Sequence, residues 1–238
     1  MTAAGGGEST GRTAPEALPP ALRARFALIA ALAALVVAAL GIRYAGHGEP
    51  GGVDRRLVAP TADSVGPPWR RAALALDFLG EPAGSALLLA VLVTVFLLLR
   101  RPRAAVLVVA AAGATVATAT LLKHLVGRTI HGDGNLSYPS GHTAFATALA
   151  LVVALPAAGR PGLGRTAATS LVLAAALAAG AVMGWAQVAL GAHYPTDVLG
   201  GWCTALAVVP ATAWLLDRAA DRGPDAGRRT DAGREQAR

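Results

Sequence analysis

Six stretches of this chain carry no charged side chain, and each is long enough to cross a lipid bilayer. No other feature constrains the fold as much. They are residues 26–42, 83–99, 104–122, 143–159, 166–192 and 198–216. The shortest hold 17 residues, and as helices they span roughly 26 Å, close to a ~30 Å hydrocarbon core. A backbone in hydrocarbon has to satisfy its own hydrogen bonds, so runs of this kind fold as helices. The composition agrees, with 54% hydrophobic and only 15% charged residues and a mean hydropathy of +0.51. The expected fold is all-α, a polytopic membrane protein with six transmembrane helices.

The formal charge of +7 would suggest nucleic acid in a soluble chain. Here the arginines flank apolar runs and no aromatic-basic patch accompanies them, so membrane topology explains them and no nucleic-acid partner is expected. With the N-terminus in the cytoplasm, Arg12, Arg23 and Arg25, Arg100, Arg101 and Arg103, Arg160 and Arg165, and the six arginines of the last segment all fall inside. The tight Arg100-Arg101-Pro102-Arg103 turn is the strongest single indication. Residues 1–21 read as a disordered cytoplasmic tail, 22–217 as the membrane domain, and 218–238 as a charged, disordered cytoplasmic tail. A cleaved signal peptide at 26–42 is the rival reading; the long polar lead and the lack of a clean A-x-A site favour an anchor. The Gly- and Pro-rich loop of residues 43–82 includes a short interfacial helix over 69–79. Many alanines and arginines with a single lysine suit a GC-rich bacterial genome, hence a bacterial plasma membrane. Cys203 is the only cysteine, so no intrachain disulfide can form.

Between these runs lie two dense polar clusters, and with this topology both emerge on the outer face. The first, residues 123–142, contains Lys123, Arg128 and the turn Pro139-Ser140-Gly141-His142; the second is His193-Tyr194-Pro195-Thr196-Asp197. Polar groups held between membrane-length runs are a site hypothesis by default. Ser140 can cap the fourth span, Pro139 bends the chain before it, and Gly141 lets a ligand approach free N–H groups that form a ready anion site. A plain capped helix would look the same. Asp197 stands four residues after His193, close enough to orient one imidazole nitrogen and leave the other as nucleophile or base. Alone, such a pair can be purely structural. With His142 and Lys123 on the same face, the set suits nucleophilic phosphoryl transfer. One histidine backed by a carboxylate attacks phosphorus, and the other, kept protonated, serves the leaving oxygen. Lys123 and Arg128 would neutralise the non-bridging oxygens. No paired cysteines, H-E-x-x-H or acidic cluster point to a metal, and the nearby cations would repel one, so no metal and no cofactor are expected.

Lys123…Arg128, Pro139-Ser140-Gly141-His142 and His193-x-x-x-Asp197 resemble the three signature motifs of the type 2 phosphatidic acid phosphatase (PAP2) superfamily, over roughly residues 22–217. The resemblance implies a metal-independent lipid phosphatase acting on a lipid phosphomonoester or polyprenyl diphosphate. His193 would be the nucleophile that forms a phosphohistidine, Asp197 its orienting partner and His142 the acid for the leaving group. Lys123, Ser140 and Gly141 would bind phosphate, with Arg128 taking part of that load.

This chain departs from the family pattern in two places. Ile130-His131 stand where the first motif has Arg-Pro, and Gln187 stands where the third has an arginine six residues before its histidine; the serine before that arginine is Ala186 here. A non-catalytic relative that binds lipid phosphates is therefore the alternative reading. A small transporter is a third, opposed by the absence of charged residues within spans and of matching broken helices. Gly180-x-x-x-Gly184 and Gly200-Gly201 read as close helix packing, Trp185 and Trp202 as packing or belt residues, Asp133 and Asn135 as turn formers, and Asp54 and Asp63 as counterions of loop arginines.

Overall fold

The structure, a computed structural model, describes residues 16–222 except 64, 133 and 161, together with all side chains in that range but those of 59, 60, 62 and 63. The described helices are α1 (Arg23–Tyr44), α2 (Gly52–Asp63), α3 (Pro67–Gly80), α4 (Pro82–Leu98), α5 (Pro102–Val126), α6 (Gly141–Ala158), α7 (Arg165–Ala189) and α8 (Pro195–Asp221). Proline in the first turn starts α3, α4, α5 and α8, where its fixed φ suits the helix and its missing N–H costs nothing. Gly127, at φ 63°, ends α5 in the left-handed conformation that only glycine adopts without strain.

Five helices are long and apolar enough to cross a membrane; the bent pair α3–α4, with 69° between its arms, is the sixth candidate. The expected second span is thus α4, and the expected interfacial helix is α3, which folds back over α7. α6 is the central helix, packed by α5, α7 and α8, while α1 lies on α8 and α4 on α5. Leu151, Val152 and Leu155 of α6 are fully buried with Leu107 and Val108 of α5 and Val209 of α8. Outward-facing Leu28, Leu35, Leu87, Val109 and Leu121 are largely exposed, an arrangement suited to lipid rather than water. The expected glycine packing is present: a Cβ on Gly180 would collide with Trp202, and one on Gly184 with Val198. Trp202 also donates to the Ala176 carbonyl, and Trp185 meets Trp69 edge to face.

Two boundaries differ from expectation. The described end of the N-terminal segment is ordered, with Ala17 and Leu18 buried and their amides donating to the buried Asp217 carboxylate at 2.8 and 2.9 Å. Asp217 in turn lies inside α8, which continues to Asp221. A fixed carboxylate for two backbone N–H groups is what turns that tail into structure. The remaining parts of both expected tails, and the turn at Asp133, lie outside the described residues. The chain is an integral membrane protein with multiple helical spans.

Candidate active site

Both polar clusters lie at the same end of the bundle, opposite the end where Ala17 meets Asp217. One link between them is a backbone bond: Ser140 N–H donates to the Asp197 carbonyl at 2.9 Å. Behind it the paired glycines of α8 leave room, since a Cβ on Gly201 would strike the Ser140 carbonyl and one on Gly200 the Tyr138 ring. Tyr138 is fully buried and its hydroxyl donates to the Val37 carbonyl of α1 at 2.7 Å. Ser140 caps α6 as expected, accepting from Thr143 N–H at 3.4 Å and donating to the Thr143 hydroxyl at 3.0 Å. Lys123, in the last turn of α5, donates from Nζ to the Leu136 carbonyl at 2.6 Å and so ties down the loop between the helices.

His193 sits in the turn between α7 and α8 with 8% of its surface exposed, and its N–H donates to the Gln187 carbonyl at 3.3 Å. Burial lowers its pKa below the usual histidine value; the Asp197 carboxylate works against that shift, and the charges of Lys123 and His142 add to it. Nδ1 faces Asp197 Oδ2 at 3.8 Å, longer than the hydrogen bond the i, i+4 spacing suggested. Each oxygen of Asp197 already has a donor. Oδ2 accepts from Tyr194 N–H at 3.0 Å, closing the first turn of α8, and Oδ1 accepts from Arg128 Nη1 at 2.6 Å.

Arg128 departs most from its expected place. Its side chain is fully buried and makes ion pairs with Asp197 and, at 2.7 Å from Nη2, with Asp54. Nη1 also donates to the Thr196 hydroxyl at 2.6 Å. The guanidinium lies between the rings of Tyr44 and Tyr194, 3.9 and 4.6 Å from their centroids, a stacking geometry that suits its planar charge. With its fork turned to two carboxylates, Arg128 neither lines the cavity described below nor reaches toward it. Asp54 changes role with it. Expected only to balance loop arginines, it is a fully buried ion-pair partner. Nothing in the sequence separates it from Asp63, since both are single acids in an arginine-bearing loop.

His142 opens α6 and packs against Gly80, where a Cβ would collide with the imidazole. Its Nε2 has no hydrogen-bond partner and lies 3.4 Å from Asp77 Oδ1 and 3.5 Å from Glu81 Oε1, at the α3–α4 elbow. Donor atoms of these three side chains lie within 4.8 Å of one another, close enough to hold a cation, although Asp77 is only half-buried and Glu81 is exposed. Asp77 Oδ1 also accepts from Gln187 Nε2 at 2.8 Å. Asp77 and Glu81 are neighbours that sequence reasoning missed; their i, i+4 spacing just ahead of the second span was the available signal. His131 bonds the Gly191 carbonyl at 2.7 Å, away from this cavity. Lys123, Gly141 and His142 form the polar end of a cavity of about 420 Å³ between α4, α5 and α6, whose other walls include Leu89, Gly113, Val116 and Phe145. The space over Gly141 is open, with nothing within 4 Å of where a Cβ would stand.

The sequence pattern of the PAP2 superfamily matches residues 83–221, more than half of the chain. The fold is similar to the crystal structure of a transmembrane PAP2-type phosphatidylglycerolphosphate phosphatase from Bacillus subtilis, with a TM-score of 0.57 at 17% identity, covering 82% of this chain and 95% of that one. No curated protein matches the sequence. The matched segment runs from α4 to α8 and includes Lys123, Pro139-Ser140-Gly141-His142 and His193, and the chain belongs to the PAP2 superfamily.

Proposed function

We propose that this protein is a lipid phosphatase that works through a phosphohistidine on His193, with its site at the outer membrane face. The observation that carries the lipid-phosphate reading is the cavity: Lys123, His142 and the open backbone at Gly141 stand at the head of an apolar space between spans; His193 is not one of its lining residues, but the charges of Lys123 and His142 reach its ring. A charged head and a hydrocarbon chain would each find matching surroundings there. A lipid phosphomonoester or a polyprenyl diphosphate fits that description. Phosphatidylglycerolphosphate, named for the B. subtilis structure, is one member of the class.

In this mechanism the imidazole nitrogen remote from Asp197 attacks phosphorus as the bond to the leaving oxygen breaks. His142 gives that oxygen its proton, and Lys123 with the first N–H groups of α6 holds the non-bridging oxygens. Water then attacks phosphorus as the P–N bond breaks, His142 takes the water's proton, and phosphate leaves with His193 neutral again. Burial keeps His193 neutral, and therefore nucleophilic, at a pH where an exposed histidine is partly charged.

One feature supports the alternative of a non-catalytic lipid-phosphate binder: two carboxylates stand beside His142 where the family pattern leads one to expect arginine at position 187. The deciding experiment is phosphate release from a panel of lipid phosphates by purified protein in detergent with EDTA, beside His193→Ala. Release that survives EDTA and is lost in the variant supports the enzyme. A folded protein that binds one of these lipids and releases nothing is the binder.

A further inference from the structure

We propose that Asp54 is a positioning residue for His193, acting through Arg128 to keep a net negative charge on the Asp197 side of the imidazole. This rests on the reading of His193 as nucleophile. Asp54 lies in the first turn of α2, far from every motif, yet it reaches the start of α8. Oδ1 accepts from Thr196 N–H at 3.0 Å, and Oδ2 accepts from the Thr196 hydroxyl at 2.9 Å, Arg128 Nη2 at 2.7 Å and Gly51 N–H at 3.1 Å. Asp54, Arg128 and Asp197 are all fully buried, so water does little to screen them.

Charge arithmetic gives Asp54 its role. A lone Arg128–Asp197 pair would be neutral, with the carboxylate drawn to the guanidinium and away from the imidazole. A second carboxylate on the far side of Arg128 leaves the trio with one net negative charge. Asp197 Oδ2 is its face toward His193, at 3.8 Å. When His193 takes on phosphorus its ring becomes cationic, and this charge stabilises it. The same bonds hold the first turn of α8, so Asp54 fixes where Asp197 stands as well as what charge it shows. The other charges that act on His193 are those of Lys123 from α5 and His142 from α6, both opposing a positive ring; from α7, the Gln187 backbone carbonyl accepts the His193 N–H. The anionic support therefore comes from the Asp197 side.

The test reads the His193 ring titration by ¹⁵N chemical shift in histidine-labelled protein in detergent, alongside phosphate release. Among five histidines, the resonance is assigned by its loss in His193→Gln. In Asp54→Asn the titration midpoint falls by about one unit, and kcat drops by about 10²-fold with KM nearly unchanged. The double variant Asp54→Asn/Arg128→Gln restores one net negative charge, and its midpoint returns toward the wild-type value. An unmoved midpoint in folded Asp54→Asn, or a double variant no different from the single one, overturns the proposal. Failure of both variants to fold assigns Asp54 to stability alone and overturns it too. Absence of phosphate release by the wild-type protein would sink the phosphatase reading, while the titration still reports on Asp54.

Discussion

Gln187 Nε2 donates to Asp77 Oδ1 at 2.8 Å, and the same carboxylate oxygen lies 3.4 Å from His142 Nε2. The neutral amide that replaces an expected arginine is thus already engaged by an acid from the α3–α4 elbow. An arginine placed there would meet a carboxylate before it met phosphate. Gln187→Arg alone is expected to leave KM for a lipid phosphate within about threefold, whereas Gln187→Arg with Asp77→Asn lowers it by about tenfold or more. A charge-assisted hydrogen bond contributes about 1.5–3 kcal/mol, and 1.4 kcal/mol is roughly a factor of ten. Steady-state kinetics on the two variants separate these outcomes, and an equal gain in both would show that Asp77 does not compete.

Arg128 predicts a different signature from that of a phosphate ligand. Arg128→Gln leaves Asp54 and Asp197 as buried carboxylates without their cation, which costs about 3–5 kcal/mol. Thermal unfolding in detergent should show a large fall in Tm, and Arg128→Lys should recover little of it, because an ammonium lacks the planar fork that reaches both carboxylates from two nitrogens and stacks between two tyrosines. An unchanged Tm with a raised KM would return Arg128 to the phosphate.

The two histidines are distinguishable by leaving group. His193→Ala is expected to abolish turnover on every substrate. In the phosphoryl-transfer step, read as the burst of released leaving group, His142→Ala slows a lipid phosphate by about 10²–10⁴-fold and an aryl phosphate far less, since a phenolate leaves without a proton. EDTA leaves both activities unchanged in the wild-type protein. Comparable losses on both substrates in that first step would rule out the role of His142 as acid.

Burial sets the expected pH profile. The His193 pKa lies below its ordinary value of 6.5, so the neutral nucleophile persists as pH falls through 6.5. The acid limb of kcat/KM should therefore sit below that pH. Two substrates with different phosphate ionisation would identify the enzyme's own limb as the one that stays put. A limb above 6.5 would mean that the nucleophile's charged form is favoured, contrary to its burial.

Hydropathy and motif spacing make much of this legible in the sequence. The positions of α1 and α4 to α8, the Ser140 cap, the proline start of α8 and the glycine packing of α7 on α8 all follow from local rules. Asp54, Asp77 and the ion pairing of Arg128 did not, because each depends on a partner brought close only by folding. Arg128 and Asp54 are 74 residues apart, and Gln187 and Asp77 are 110 apart.

By itself the sequence determined a helical membrane protein with two polar clusters at one end of its spans, because an apolar run in lipid has no alternative to a helix and helix length sets where each run ends. Only the tertiary structure decided which charges meet. A buried guanidinium takes whichever carboxylates the packing delivers, and here the first loop delivers Asp54 to Arg128, making a residue that reads as a phosphate ligand the internal counterion of the proposed catalytic aspartate.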